Sequence, residues 1–181
     1  MKVVQITIVS VLFALAAGQA AAAAPTTCPN FEVGFSPEGS AEALVLKTIR
    51  SARQDIKILA YSFTAKEVVK ELIDARRRNV NVAIVADASN LSSRYSVAAL
   101  SALSSAGASV RTIDKFAIHH DKAILVDGQH VEFGSYNFSA AAATKNSENA
   151  NVCWHSPSVA AKYLEHWQSR WNLGTTFQPR Y

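Results

Sequence analysis

Apolar positions along the chain switch repeatedly between a period of two and a period near 3.6. Phe31-Glu32-Val33-Gly34-Phe35 alternates as a short strand, and Ser36-Pro37-Glu38-Gly39-Ser40 punctuates before a helix predicted over Ala41 to Arg53. Leu44, Leu46 and Ile49 form the buried stripe of that helix. Ile56 to Ser62 reads as the next strand. Thr64 is the expected N-cap of a helix from Ala65 to Arg78, in which Val68, Val69, Leu72 and Ile73 recur at helical spacing. Val80 to Ala86 is rich in β-branched residues and predicts a buried strand. Tyr95 to Ala106 predicts a helix ended by Gly107, followed by a strand over Ser109 to Ile113. Ala123 to Val126 is a continuous apolar run closed by Asp127-Gly128, a hairpin signal, with a return strand over Gln129 to Phe133. A strand over Ala150 to Trp154 and a helix over Pro157 to Trp171 complete the pattern. Strands separated by helices predict an α/β sandwich, and the hairpin makes its sheet mixed rather than wholly parallel.

The first 24 residues stand apart. Met1-Lys2 precedes an apolar run from Val3 to Ala17 and an alanine-rich stretch, the charge, core and small-residue order of a secretory signal peptide cleaved near Ala22. The run is short of the ~20 apolar residues that span a bilayer. A signal peptide over residues 1–22 and a single domain over residues 23–181 are the expected organisation. The expected location is the periplasm or the outside of the cell, with no stable membrane association. Removing Lys2 from the 18 basic residues leaves 17 against 14 acidic ones, a net charge of about +3 that favours a polyanionic partner. Cys28 and Cys153 are the two cysteines, and an oxidising compartment would let them pair. The placement of Cys28 near a loose terminus and Cys153 in a buried strand weighs against it.

Chemistry concentrates between Ile118 and Asn137, IHHDKAILVDGQHVEFGSYN. The first half of this stretch, carrying His120 and Lys122, reads as a strand, and alternation puts His120 and Lys122 on one face. Ser135 and Asn137 share a parity at the exit of the return strand, and the hairpin brings that exit beside the entry of the first strand. An imidazole, an ammonium, a hydroxyl and a carboxamide are thus expected at one end of the sheet. Such a set suits a phosphodiester: fixed positive charge, neutral donors, and a ring that acts as nucleophile or proton carrier without a metal or other cofactor. Asp127 starts the turn and is expected to be structural. Glu148, just before the last strand, is placed to hydrogen-bond His120 and fix its tautomer. His119 would face away from His120, while His130, His155 and His166 show no partner pattern and are expected to pack in the core or lie at the surface. Arg76-Arg77-Arg78 is expected to complement a helix C-terminus.

The order H-x-K-x4-D, followed after six residues by G-S-x-N, resembles the HKD signature of the phospholipase D superfamily, and the short secreted chains of its Nuc-type endonuclease branch in particular. The resemblance implies a phospholipase D/nuclease-like α/β sandwich. It makes His120 the nucleophile of a covalent phosphohistidine, Lys122 and Asn137 phosphate ligands, Ser135 a supporting donor and Glu148 the orienting carboxylate. Larger members carry two HKD motifs; this chain has one H-x-K. In-line displacement needs a nucleophile on one side of phosphorus and an acid on the other. A homodimer with one site across its two-fold axis is therefore expected. The expected substrate is nucleic acid, DNA before RNA. The alternatives are a phospholipase D acting on lipid head groups and a non-catalytic nucleic-acid-binding protein on the same scaffold.

Overall fold

The structure is a computed structural model and describes residues 25–179. The expected signal segment lies outside the described residues. Element order is β1 (Asn30–Ser36), α1 (Ser40–Ser51), β2 (Asp55–Ala60), α2 (Lys66–Arg77), β3 (Asn81–Asp87), a 3-10 turn (Ala88–Ser92), α3 (Arg94–Ser105), β4 (Ser109–Ile113), β5 (Lys122–Val126), β6 (His130–Gly134), α4 (Ala140–Thr144), β7 (Glu148–Trp154), α5 (Pro157–Leu173) and β8 (Thr175–Thr176). The strands form one mixed sheet in the order β1-β7-β6-β5-β2-β3-β4-β8. β2, β3 and β4 run parallel through helical crossovers, while β5, β6 and β7 form an antiparallel meander whose first strand pairs with β2.

Alternation along each strand sends side chains to two layers. Ile56, Ile58, Ile84, Ile124 and Val152 pack against Leu44, Val45, Ile49, Val68, Leu72 and Leu100 of α1, α2 and α3. On the other face, Leu59, Val85 and Trp167 form one cluster, and Leu125, Val131 and Ala160 another, both under α5. The mixed α/β sandwich read from the periodicity is the observed fold. Each expected strand and helix is present.

Several local expectations are corrected. α2 starts one residue later than expected, with Ala65 at its N-cap and no side-chain cap bond, so Thr64 does not cap it; the Thr64 and Ala65 amides instead both donate to the Phe138 carbonyl, at 2.8 and 2.9 Å. β5 begins at Lys122, which leaves His120 in the preceding loop instead of on the strand. The one-turn helix α4, the 3-10 turn and the two-residue β8 carry no period long enough to be seen in sequence.

Cys28 and Cys153 do pair, with Cα atoms 5.3 Å apart. β1 runs antiparallel to β7 with Phe31 opposite Cys153, so the chain entering β1 passes close to the Cys153 thiol. Terminal position alone did not carry that register. Gly34 allows β1 to lie against the start of α1, where a Cβ would come within 2.5 Å of the Ser40 carbonyl oxygen.

Candidate active site

The expected residues gather around the end of the sheet where β2 leaves and β5 enters. Tyr61, just past β2, contacts both motif residues: its ring centroid lies 4.7 Å from that of His120, and Lys122 Nζ lies 5.1 Å above it. His120 is exposed, whereas Lys122 is 8% exposed. Lys122 Nζ donates to the His120 carbonyl at 2.6 Å, which ties the ammonium to the backbone of His120. Burial pulls the Lys122 pKa down, opposed by the Asp121 and Glu148 carboxylates. A cleft of about 220 Å³ is lined by His120, Asp121, Lys122, Phe133, Gly134 and Tyr163. Two larger grooves beside α2 share none of this lining.

The second half of the site is built on the turn after β6. Ser135 Oγ donates to Glu148 Oε2 at 2.6 Å and accepts from the Asn149 amide at 3.0 Å. The Ser135 amide donates to Asn149 Oδ1 at 2.8 Å, and the Ser135 and Tyr136 amides share the Asn149 carbonyl at 3.1 Å. Such close apposition is possible because residue 134 is glycine; a Cβ there would run into the Asn149 carbonyl. Glu148 Oε1 accepts from Asn146 Nδ2 at 2.9 Å. Within the single chain, the Glu148 carboxylate is thus engaged by Ser135 and Asn146, and the hydrogen bond to His120 expected from sequence is not made. Asn137 Oδ1 is buried without a hydrogen-bond partner among the described residues. Glu148 still exerts a charge effect on Lys122, so the two halves face one field.

Asp127 belongs to the opposite end of the hairpin. Its Oδ2 accepts from the Arg53 amide at 2.8 Å, and its Oδ1 from the Gln54 and Asp55 amides at 2.9 Å each. It sits in the left-handed region at φ 51°, which aspartate tolerates. Burial would raise its pKa, but these three backbone donors outweigh that and hold the carboxyl below its ordinary value. Its contacts are those of a structural clamp between β2 and β5.

Three further supports were not visible in sequence. Asn90 Nδ2 donates to the Tyr61 and Asp87 carbonyls at 2.6 and 2.8 Å, and its Oδ1 accepts from the Phe63 amide at 3.1 Å, so one carboxamide holds the segment that carries Tyr61. Asp87 accepts from the His119 amide at 2.7 Å. His166, expected to lack a partner, lies 2.8 Å from Asp121. An Asn shortly after a strand offers no pattern that announces these roles.

The model of the cardiolipin synthase, PLD-like domain matches residues 45–171, a span running from α1 into α5 and including every residue of the site. The chain belongs to the phospholipase D-like family. It is 37% identical over 137 residues to a phospholipase D of Rickettsia bellii, covering 75% of this chain and 66% of that protein. The chain thus spans just under two thirds of that relative's length. Among solved structures it is similar to Nuc of Salmonella typhimurium, a phospholipase D family member, at 49% identity and a TM-score of 0.81, covering 82% of this chain and 98% of that one. NucT of Helicobacter pylori shares the fold at 21% identity and a TM-score of 0.69, with 82% and 100% covered.

Proposed function

We propose that this phospholipase D-like protein is a metal-independent endonuclease that hydrolyses nucleic-acid phosphodiester bonds, DNA before RNA, outside the cytoplasm. The observation that carries the reading is the joint placement of His120 and Lys122 on Tyr61, with an exposed imidazole beside a buried ammonium. His120 attacks phosphorus and forms a phosphohistidine while the P–O bond to the leaving group breaks. Lys122 and Asn137 hold the non-bridging oxygens, and Ser135, whose one hydroxyl proton goes to Glu148, fixes that carboxylate beside them. Water then attacks the phosphohistidine, releasing the phosphate ester and restoring the ring. The basic balance of the chain favours a polyanionic substrate over a lipid. The Cys28–Cys153 disulfide suits an oxidising compartment.

One H-x-K per chain leaves the leaving group without its acid, and a second copy supplies it. Support comes from the exposed apolar residues. Phe31, Val33 and Phe35, 45–57% exposed, project from the edge strand β1 on the side where α5 lies but does not reach them. Leu164 on α5 and Phe116, which packs under Arg170 of α5, are exposed on the same side. The row of Phe31, Val33 and Phe35 is an exposed apolar edge that a two-fold partner would cover.

The reading is tested by incubating purified protein with plasmid DNA, RNA and phosphatidylcholine vesicles, each with excess chelator. Nicking and fragmentation of plasmid with chelator present is the expected result. Release of choline with plasmid left intact would replace this reading with that of a lipid hydrolase, as the name of the Rickettsia relative suggests.

A further inference from the structure

The loop that carries His120 takes no part in a helix or in the sheet between Ile113 and Lys122, so its shape rests on side-chain contacts. The two neighbours of His120 are each anchored. His119, 2% exposed, donates its amide to Asp87 Oδ2 at the end of β3, at 2.7 Å. Asp121 Oδ2 lies 2.8 Å from His166 Nε2 on α5 and 3.4 Å from His119 Nδ1. One turn along α5, the Arg170 guanidinium covers the Phe116 ring at 4.6 Å. His166 and Arg170, four residues apart on one helix face, thus grip the loop at two points.

The proton positions in this cluster follow from its surroundings. Burial lowers the His119 pKa, helped by the Arg170 and His166 charges and opposed by Asp121 and Asp87, so the ring is neutral near pH 7. Its Nε2 is buried without a partner among the described residues, whereas Nδ1 faces a carboxylate. The single ring proton therefore belongs on Nδ1, the nitrogen 3.4 Å from the Asp121 carboxylate. Asp121 accepts from His166 on one side and faces the His119 N–H on the other. The carboxylate joins α5 to the loop, and its charge opposes the burial that pulls the Lys122 pKa down.

We infer that His166, acting through Asp121 and His119, is a positioning residue for His120, so that α5 sets the aim of the nucleophile. The inference rests on the phosphodiesterase reading above. Its physical basis is that in-line attack tolerates little displacement: a shift of about 1 Å in a reacting group can reduce turnover by ~10²-fold. Loss of the His166 contact frees Asp121 from α5 and leaves it only the 3.4 Å approach to His119.

The test compares His166→Leu with His166→Gln, whose side-chain amide can donate from nearly the same place as Nε2. With bis(p-nitrophenyl) phosphate as substrate, His166→Leu should lower kcat by ~10- to 100-fold with KM little changed. His166→Gln should recover most of it. The His120 ring C–H signals in NMR spectra at fixed pH should move in the Leu variant and return in the Gln variant. An unchanged kcat together with unmoved His120 signals in His166→Leu overturns the inference. Equal losses in both variants, accompanied by equal falls in Tm, overturn it as well, since they mark a merely structural contact. Failure of the wild-type protein to hydrolyse any phosphodiester would refute the proposed function instead, and the NMR comparison would still decide whether His166 positions His120.

Discussion

Replacing Asp127 with asparagine separates the structural part of the motif from its chemistry. Asparagine is accepted in the left-handed conformation observed at φ 51°, so the substitution removes charge and one acceptor without backbone strain. Aspartate receives three backbone N–H donors, from Arg53, Gln54 and Asp55. The amide can keep the two that meet at Oδ1, but its NH2 group then faces the Arg53 N–H. Hydrogen bonds to charged groups contribute ~1.5–3 kcal/mol and neutral ones ~0.5–1.5. One lost and two weakened bonds, discounted because Arg53 and Gln54 are open to water, come to about 2–3 kcal/mol. For a domain of this size that is a fall in Tm of about 5–10 °C. The sign of its pH dependence is also determined. The Asp127 pKa is lowered on folding, so its contribution is fully present above the unfolded value of about 3.9 and is lost as pH falls through the folded value. Circular dichroism melts at neutral pH and at successively lower pH should show a gap between wild type and variant that closes in acid. Turnover of a small phosphodiester by the folded variant at 25 °C should stay near wild type. An unaltered Tm at neutral pH, or a loss of kcat beyond tenfold at unaltered Tm, would refute the reasoning.

Glu132, wholly buried between Ile124 and Val152 with no hydrogen-bond partner among the described residues, has its pKa raised well above the ordinary value by desolvation. Glu132→Gln should therefore be tolerated, and it should remove the decline in wild-type stability that begins as pH rises past about 4.3, the unfolded carboxyl value; parallel Tm–pH curves for the two proteins would contradict this. Reduction of the Cys28–Cys153 disulfide, whose cysteines lie 125 residues apart, should lower Tm, since loop closure of this length is worth up to ~5 kcal/mol. Identical melts with and without reductant would show that β1 is held by its pairing with β7 alone. His120→Ala should abolish turnover, and random exchange with an equal amount of wild type should leave about one quarter of the dimers active if one site needs both histidines, against about half of all sites if they are independent. Activity near half, with exchange verified by co-purification of differently tagged chains, would refute a shared site.

Periodicity by itself determined the architecture, because burial of an apolar stripe on α1 and α2 or of alternate residues on β2 and β3 depends only on local spacing. Fixed offsets in the chain likewise determined which polar groups could meet. The hairpin returns Gly134–Asn137 to the start of β5 whatever surrounds it, and the place of Asp127 at the hairpin turn was legible in Asp127-Gly128. What only the tertiary structure decided are contacts between segments far apart in sequence. The register of β1 on β7 set the disulfide. The docking of α5 gave His166 the partner its own neighbourhood did not show, 45 residues away. Parity arguments failed at His120 because alternation holds only within a strand, and β5 starts at Lys122. Beyond that point the loop follows the fixed groups around it, Asp87 from β3 and His166 from α5, and no local pattern encodes a position that distant elements impose.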